Sequence, residues 1–169
     1  MGHMIRVRVV GVALDPAQQH VILLKPVDTD AGGDRVLPVW IGAQEAMSIL
    51  VAIEGTPPPR PLAHDLMTAM LGELSASVDR VEVTHLEEGT FHARVVLNTP
   101  GGQRTFDARP SDAIALGSRV DAPIWVADAV FDDAGVPDEA VELDPSAEEE
   151  RVEEFRRFLD DVDPDDFQG

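Results

Sequence analysis

The sequence predicts an α+β fold: duplicated hairpin–helix units, a mainly antiparallel twisted sheet with packed helices, and an acidic C-terminal helix. Three observations predict it. Valine-rich segments with polar residues at alternate positions read as strands that bury one face. Between them, apolar residues recur at helical spacing. A weak internal repeat then joins the two patterns. Gly32-Gly33-Asp34-Arg35, a strand and Glu45-Ala46-Met47-Ser48-Ile49 in one half answer to Gly101-Gly102-Gln103-Arg104, a strand and Asp112-Ala113-Ile114-Ala115-Leu116 in the other. Each copy places an acid in the first turn of its helix, on the flank of the apolar stripe.

The elements follow in order. Residues 5–14, with arginine at alternate positions, form the first strand. Residues 20–27 form the second, and Lys25-Pro26 marks an edge or an ending. An Asp/Gly turn at 28–34 leads to a third strand at 36–41. Gly42 caps a helix with Glu45 placed as in a capping box, and Ala46, Ile49, Leu50 and Ile53 share its apolar face. Gly55-Thr56-Pro57-Pro58-Pro59 is a stiff break. Pro61 suits the first position of the next helix, whose stripe is Leu62, Leu66, Met70 and Leu74. Residues 78–86 and 90–98 read as a hairpin around Glu88-Gly89, followed by a strand at 104–108. Arg109-Pro110 opens a helix reaching about Val120, residues 124–127 form a short buried strand, and 129–133 a helical turn. The short loops favour one domain, residues 4–135; Met1–His3 before it read as an expression remnant, with the natural start at Met4. Residues 136–169 form an acidic tail, in which Val152, Phe155, Phe158 and Leu159 predict a docked amphipathic helix over 148–160.

Composition excludes several chemistries. The 169 residues contain no cysteine and no tyrosine, which removes disulfides, thiolate metal sites and cysteine or phenolic nucleophiles. No run of apolar residues is long enough to span a membrane, and no secretory leader opens the chain, so a cytoplasmic location without membrane partners is expected. The formal net charge is −19, and 17 acids against 3 arginines stand from Asp128 onward. Such a surface disfavours non-specific nucleic-acid binding except at a local arginine cluster.

Two Arg-Pro strings supply such clusters: R-P-L-A-H-D-L at 60–66 and D-A-R-P-S-D-A at 107–113. Each places arginine just before a helix N-terminus, where free N–H groups and the dipole favour anions. Arg60, Arg109 and Ser111 are therefore candidate phosphate-holding residues. Helix capping alone also accounts for Pro110, Ser111 and Asp112. His64 is a candidate general base or acid, beside Asp65. Glu45, Asp65, Asp107 and Asp112 fall at strand ends or helix starts and offer oxygen ligands suited to Mg²⁺ or Mn²⁺. His20, His85 and His92 show no ligand-like spacing, and the common zinc-protease, P-loop and serine-hydrolase signatures are absent.

Several strings taken in order carry a resemblance: Leu37-Pro38-Val39-Trp40-Ile41-Gly42 with Glu45-Ala46, the 60–66 string, Glu88-Gly89-Thr90-Phe91, the 107–113 string, and Ala122-Pro123-Ile124-Trp125-Val126. Across residues 5–135 the chain resembles the bifunctional nuclease domain family, and its tail looks like the actinobacterial version. Ala63 stands where the family usually has threonine, and His92 where tyrosine is common. The resemblance implies hydrolysis of DNA and RNA. Glu45, His64, Asp65 and Asp112 would act catalytically, Glu45, Asp65, Asp107 and Asp112 would hold a divalent cation, and Arg60, Arg109 and Ser111 would bind substrate. The alternative is a non-enzymatic module for an anionic ligand or protein partner. A homodimer is expected, because exposed hairpin edges pair across a twofold.

Overall fold

The computed structural model describes residues 2–140 and Arg157. The expected tail helix, Arg157 aside, lies outside the described residues. The chain runs β1 (Met4–Leu14), β2 (His20–Pro26), α1 (Thr29–Gly32), β3 (Arg35–Ile41), α2 (Ala43–Glu54) and α3 (Ala63–Glu73). It continues through β4 (Ser77–Glu87), β5 (Thr90–Thr99), β6 (Gly102–Ala108), α4 (Pro110–Arg119), β7 (Ile124–Ala127), α5 (Asp128–Ala134) and β8 (Val136–Pro137). The fold is α+β, with one eight-stranded sheet ordered β6-β5-β4-β7-β1-β2-β3-β8.

The repeat is larger than a hairpin and a helix. β1-β2-β3 is an antiparallel meander feeding α2, and β4-β5-β6 is a second meander leading to α4. β7 inserts between them, antiparallel to β1 and parallel to β4. The first strands of the two halves therefore run in opposite directions, as a twofold relation requires. The Asp/Gly turn holds the one-turn helix α1, and Glu88-Gly89 makes the two-residue hairpin turn with φ of 49° and 77°. β8 adds to β3, and Asp138 pairs with Lys25, so the sheet reaches past Gly135.

The main core lies where strand residues such as Ile5, Ile22, Leu24, Val81 and Val83 meet Ala46, Ile49, Ala113, Ile114 and Phe131 of the helices. Each fully buried aliphatic or Phe side chain contributes about 1.5–3 kcal/mol. Val21, Leu23 and Val36 form a smaller cluster. Ile53, expected on the buried face of α2, is exposed. Among the described residues no helix is long and apolar enough to cross a membrane.

α3 departs most from expectation. Its periodicity is helical, but the expected stripe faces outward: Leu66, Met70 and Leu74 are 53%, 49% and 71% exposed. His64 is its buried residue. The reason is polar: His64 and Asp65 bond to side chains of α4, and those bonds turn the apolar side away. Pro61 stands one residue before the N-cap Leu62 rather than inside the first turn. Asp65 completes the start of α3 by accepting the Leu62 N–H at 2.8 Å.

Candidate functional site

The two halves meet where α2, α3 and α4 pack, and the first-turn acids of the repeat meet there too. Arg109, the N-cap of α4, donates from Nε to Asp112 Oδ2 at 2.8 Å and from Nη1 to Glu45 Oε1 at 3.1 Å. Glu45 and Asp112, equivalent positions in the two copies, are thus joined through one guanidinium. Glu45 folds over Gly42, where a Cβ would run into its carboxylate.

Asp112 does not cap its helix. Its second oxygen, Oδ1, lies 3.1 Å from His64 Nε2. The other ring nitrogen, Nδ1, lies 2.8 Å from Ser48 Oγ. An ionised Asp112 only accepts, so Nε2 carries the proton toward it; in the neutral ring Nδ1 then accepts from the Ser48 hydroxyl. Partial burial pushes the Asp112 carboxyl up, but the hydrogen bonds from Arg109 and His64 together outweigh burial and bring it below its ordinary value. In return the Asp112 carboxylate, followed by Glu45, holds the Arg109 proton more firmly.

A hollow of about 580 Å³ opens beside Glu45, Ser48, His64, Arg109 and Asp112. A second, of about 600 Å³, is lined by Trp40, Phe91, Arg109 and Ser111, so Arg109 is a wall of both. Its side chain is 64% exposed and its two carboxylate bonds use only part of its donor set. The arrangement can therefore hold an anion at Arg109 with a carboxylate and an imidazole behind it.

Of the sequence-predicted residues, Glu45, His64, Arg109 and Asp112 come together in one bonded cluster. Ser111 is buried and lines the second hollow. Asp65 is adjacent but turned away: Oδ1 accepts from Arg119 Nε at 2.8 Å, Oδ2 serves the cap, and the residue lines a third hollow with Arg119. Asp107 is not bonded to the cluster, but it lies near the end of β6 and lines a further hollow with His64 and Asp112. Arg60 is exposed in the loop before α3 and makes no bond to the cluster.

Two residues were missed. Ser48 lies one turn after Glu45 on α2, and that spacing was the available signal. Arg119 lies two turns after Asp112 on α4, with its side chain 6% exposed. It also donates from Nη1 to the carbonyls of Ser48 and Ala115, tying the three helices together.

The family model of the bifunctional nuclease domain matches residues 22–139, which include the whole cluster. The chain belongs to the bifunctional nuclease domain family. An uncharacterized protein of Mycobacterium tuberculosis is 43% identical over 167 residues, covering 96% of this chain and 98% of that protein. Bifunctional nuclease 2 of Oryza sativa subsp. japonica is 27% identical over 115 residues, covering 66% of this chain and 34% of the plant protein. Bifunctional nuclease 1 of Arabidopsis thaliana is 28% identical over 115 residues, with the same two shares. Within the bifunctional nuclease domain of this chain, the Arg109-centred cluster joins the first-turn acids of the two halves.

Proposed function

We propose that this chain hydrolyses phosphodiester bonds of DNA and RNA at the Arg109–Asp112–His64 cluster, with the help of a divalent cation. Family membership supports the reaction class, as do the names of the plant relatives. The observation that carries the location is the bonded chain from Arg109 through Asp112 to His64, lining one hollow. Arg109 binds a phosphate oxygen. As a water oxygen bonds to phosphorus and the bond to the departing sugar oxygen breaks, Asp112 takes the water's proton and the departing oxygen takes one from solvent, with His64 behind Asp112 orienting its carboxylate.

Glu45 and Asp112 fit a cation of the Mg²⁺ or Mn²⁺ class, which is held through one or two carboxylates plus water and substrate oxygens. They face each other across the Arg109 guanidinium, itself a cation, so Arg109 must swing toward the substrate before they hold another. A bound divalent ion supplies Lewis acidity and charge neutralisation at the phosphate. The test is incubation of purified chain with DNA and with RNA, with and without EDTA. Cleavage that EDTA stops and Mg²⁺ or Mn²⁺ restores supports the reading. Cleavage equal to that of an Arg109→Ala preparation ends it.

A second reading is a non-enzymatic module for an anionic ligand or protein partner. The carboxylates that contact arginine here are already paired, Glu45 and Asp112 with Arg109 and Asp65 with Arg119, and the net charge of −19 opposes nucleic acid. Self-association into a homodimer is part of our proposal under either reading. The edge strand β6 is exposed along nearly its whole length, and its Phe106 continues the outward apolar side of α3. A Met70→Glu variant that remains a dimer by light scattering would rule out this surface.

A further inference from the structure

The β4–β5 hairpin carries a group that the sequence spacing did not reveal. His85 and His92 are cross-strand partners, opposite each other in the antiparallel register. Their rings stack at 4.3 Å with an interplanar angle of 9°. Glu87 follows His85 by two residues and so projects from the same face. One ligand atom from each of His85, Glu87 and His92 lies within 4.8 Å of the others. The expectation that these histidines lack ligand spacing is therefore corrected: separation along one strand was the wrong measure, because the ladder brings the two strands together.

The two-residue turn at Glu88-Gly89 sets the register that puts His85 opposite His92, and a bulge beyond it sets which way they face relative to the core. Val83 pairs with Ala93, both buried in the main core, whereas His85 pairs with His92, the very next residue on β5. Thr84 is the extra residue. Without the bulge His85 would follow Val83 toward the core; with it, the strand face reverses and His85 joins His92 outside.

Thr84 also orients a ring. Its hydroxyl donates to the His92 carbonyl at 3.3 Å and lies 2.9 Å from His85 Nδ1. A hydroxyl has one hydrogen, so with that hydrogen directed to the carbonyl it accepts from Nδ1–H. The lone pair of His85 then sits on Nε2, on an exposed side chain beside His92 and Glu87. An acceptor bonded to the far ring nitrogen that settles the tautomer in this way is the usual support of a metal-ligating histidine.

We propose that His85, Glu87 and His92 form a site for a divalent transition-metal ion of the zinc class. Two imidazoles and a carboxylate are a ligand set that zinc accepts, with the remaining coordination position left to water. Metal–ligand bonds of about 2.0–2.2 Å require the three atoms to draw closer and the two stacked rings to tilt toward one ion by side-chain torsion, from exposed His85 and Glu87 and half-buried His92. The site is separate from the Arg109 cluster and uses none of its residues. It lies on the hairpin whose Gly89, Thr90 and Phe91 line the hollow beside Arg109, so bound metal clamps the two strands that carry that wall.

The test is titration of the full chain with Zn²⁺ by calorimetry and with Co²⁺ by visible absorption. A His3→Ala background removes the histidine nearest the N-terminus. One equivalent is expected, with d–d bands of a low-coordinate Co²⁺ site. Glu87→Gln and His92→Ala should each remove that equivalent while melting temperature without metal stays within a few degrees. Thr84→Val should weaken Zn²⁺ binding by about tenfold or more, since losing the partner that holds a ligating histidine's other nitrogen typically costs that much. The proposal fails if the parent binds no Zn²⁺ or if His92→Ala binds it equally well. An unchanged affinity in Thr84→Val overturns the positioning role of Thr84. None of these readouts depends on nucleic-acid cleavage.

Discussion

His64 Nε2 and Asp112 Oδ1 lie 3.1 Å apart across 48 residues of sequence, and this contact fixes how α3 sits on α4. It joins the second Arg-Pro string to the His-Asp pair of the first. It also turns the apolar residues of α3 outward, because His64 cannot both reach Asp112 and leave Leu66 and Met70 facing the core.

Asp112→Asn should abolish the proposed cleavage while leaving the fold in place. The amide keeps the shape but removes the charge that Arg109 and His64 share. Loss of such charge-assisted bonds at a partly exposed group costs about 1–3 kcal/mol, well short of a domain's stability. Parallel cleavage assays and thermal melts check it. Collapse of the melting transition together with activity would make Asp112 a structural residue alone.

Gly42→Ala should displace the Glu45 carboxylate from Arg109. The backbone of Gly42 has φ −74°, which alanine adopts without strain, so the added methyl acts on Glu45. The weaker N-cap costs about 1 kcal/mol. Cleavage or divalent-cation dependence should change more than stability does, read by metal titration of activity beside a denaturant melt.

Gly117→Ala should destabilise by about 1–3 kcal/mol through overpacking. A Cβ there would stand 2.7 Å from Val81 Cγ2, where α4 crosses β4. Urea unfolding measures the loss. A double variant with Val81→Ala should recover part of it, which a helix-propensity effect would not.

Acid should destabilise the fold, in part through Glu82 and Asp112. Burial pushes the Glu82 carboxyl up, but hydrogen bonds from Arg80 and Arg94 carry it below its ordinary value; Asp112 behaves alike. A group depressed in the folded state contributes stability above its unfolded pKa, and that contribution is lost as pH falls through the folded value. Starting from ordinary values of 4.5 and 3.8, the loss should begin near those pH values and grow below them. Glu82→Gln should flatten the dependence of melting temperature on pH in this range; an unchanged slope would show that Glu82 contributes nothing to it.

The sequence by itself determined the local structure. Alternating valines set the strands, Glu88-Gly89 set a hairpin turn, Arg109-Pro110 set the start of α4, and repeated glycines and acids revealed two halves. These are readable because strand and helix periods, turn torsions and helix starts depend on residues a few positions apart. The motif strings likewise carried the family. Tertiary structure decided what depends on distant partners. It joined Glu45 to Asp112 through one guanidinium and paired Asp65 with Arg119, while Asp107 makes neither of these contacts. It turned α3 around, because polar bonds to α4 outweighed an apolar stripe. It turned His85 and His92 away from the core face of Val83, because a one-residue bulge reverses a strand face and no spacing along a single strand records that.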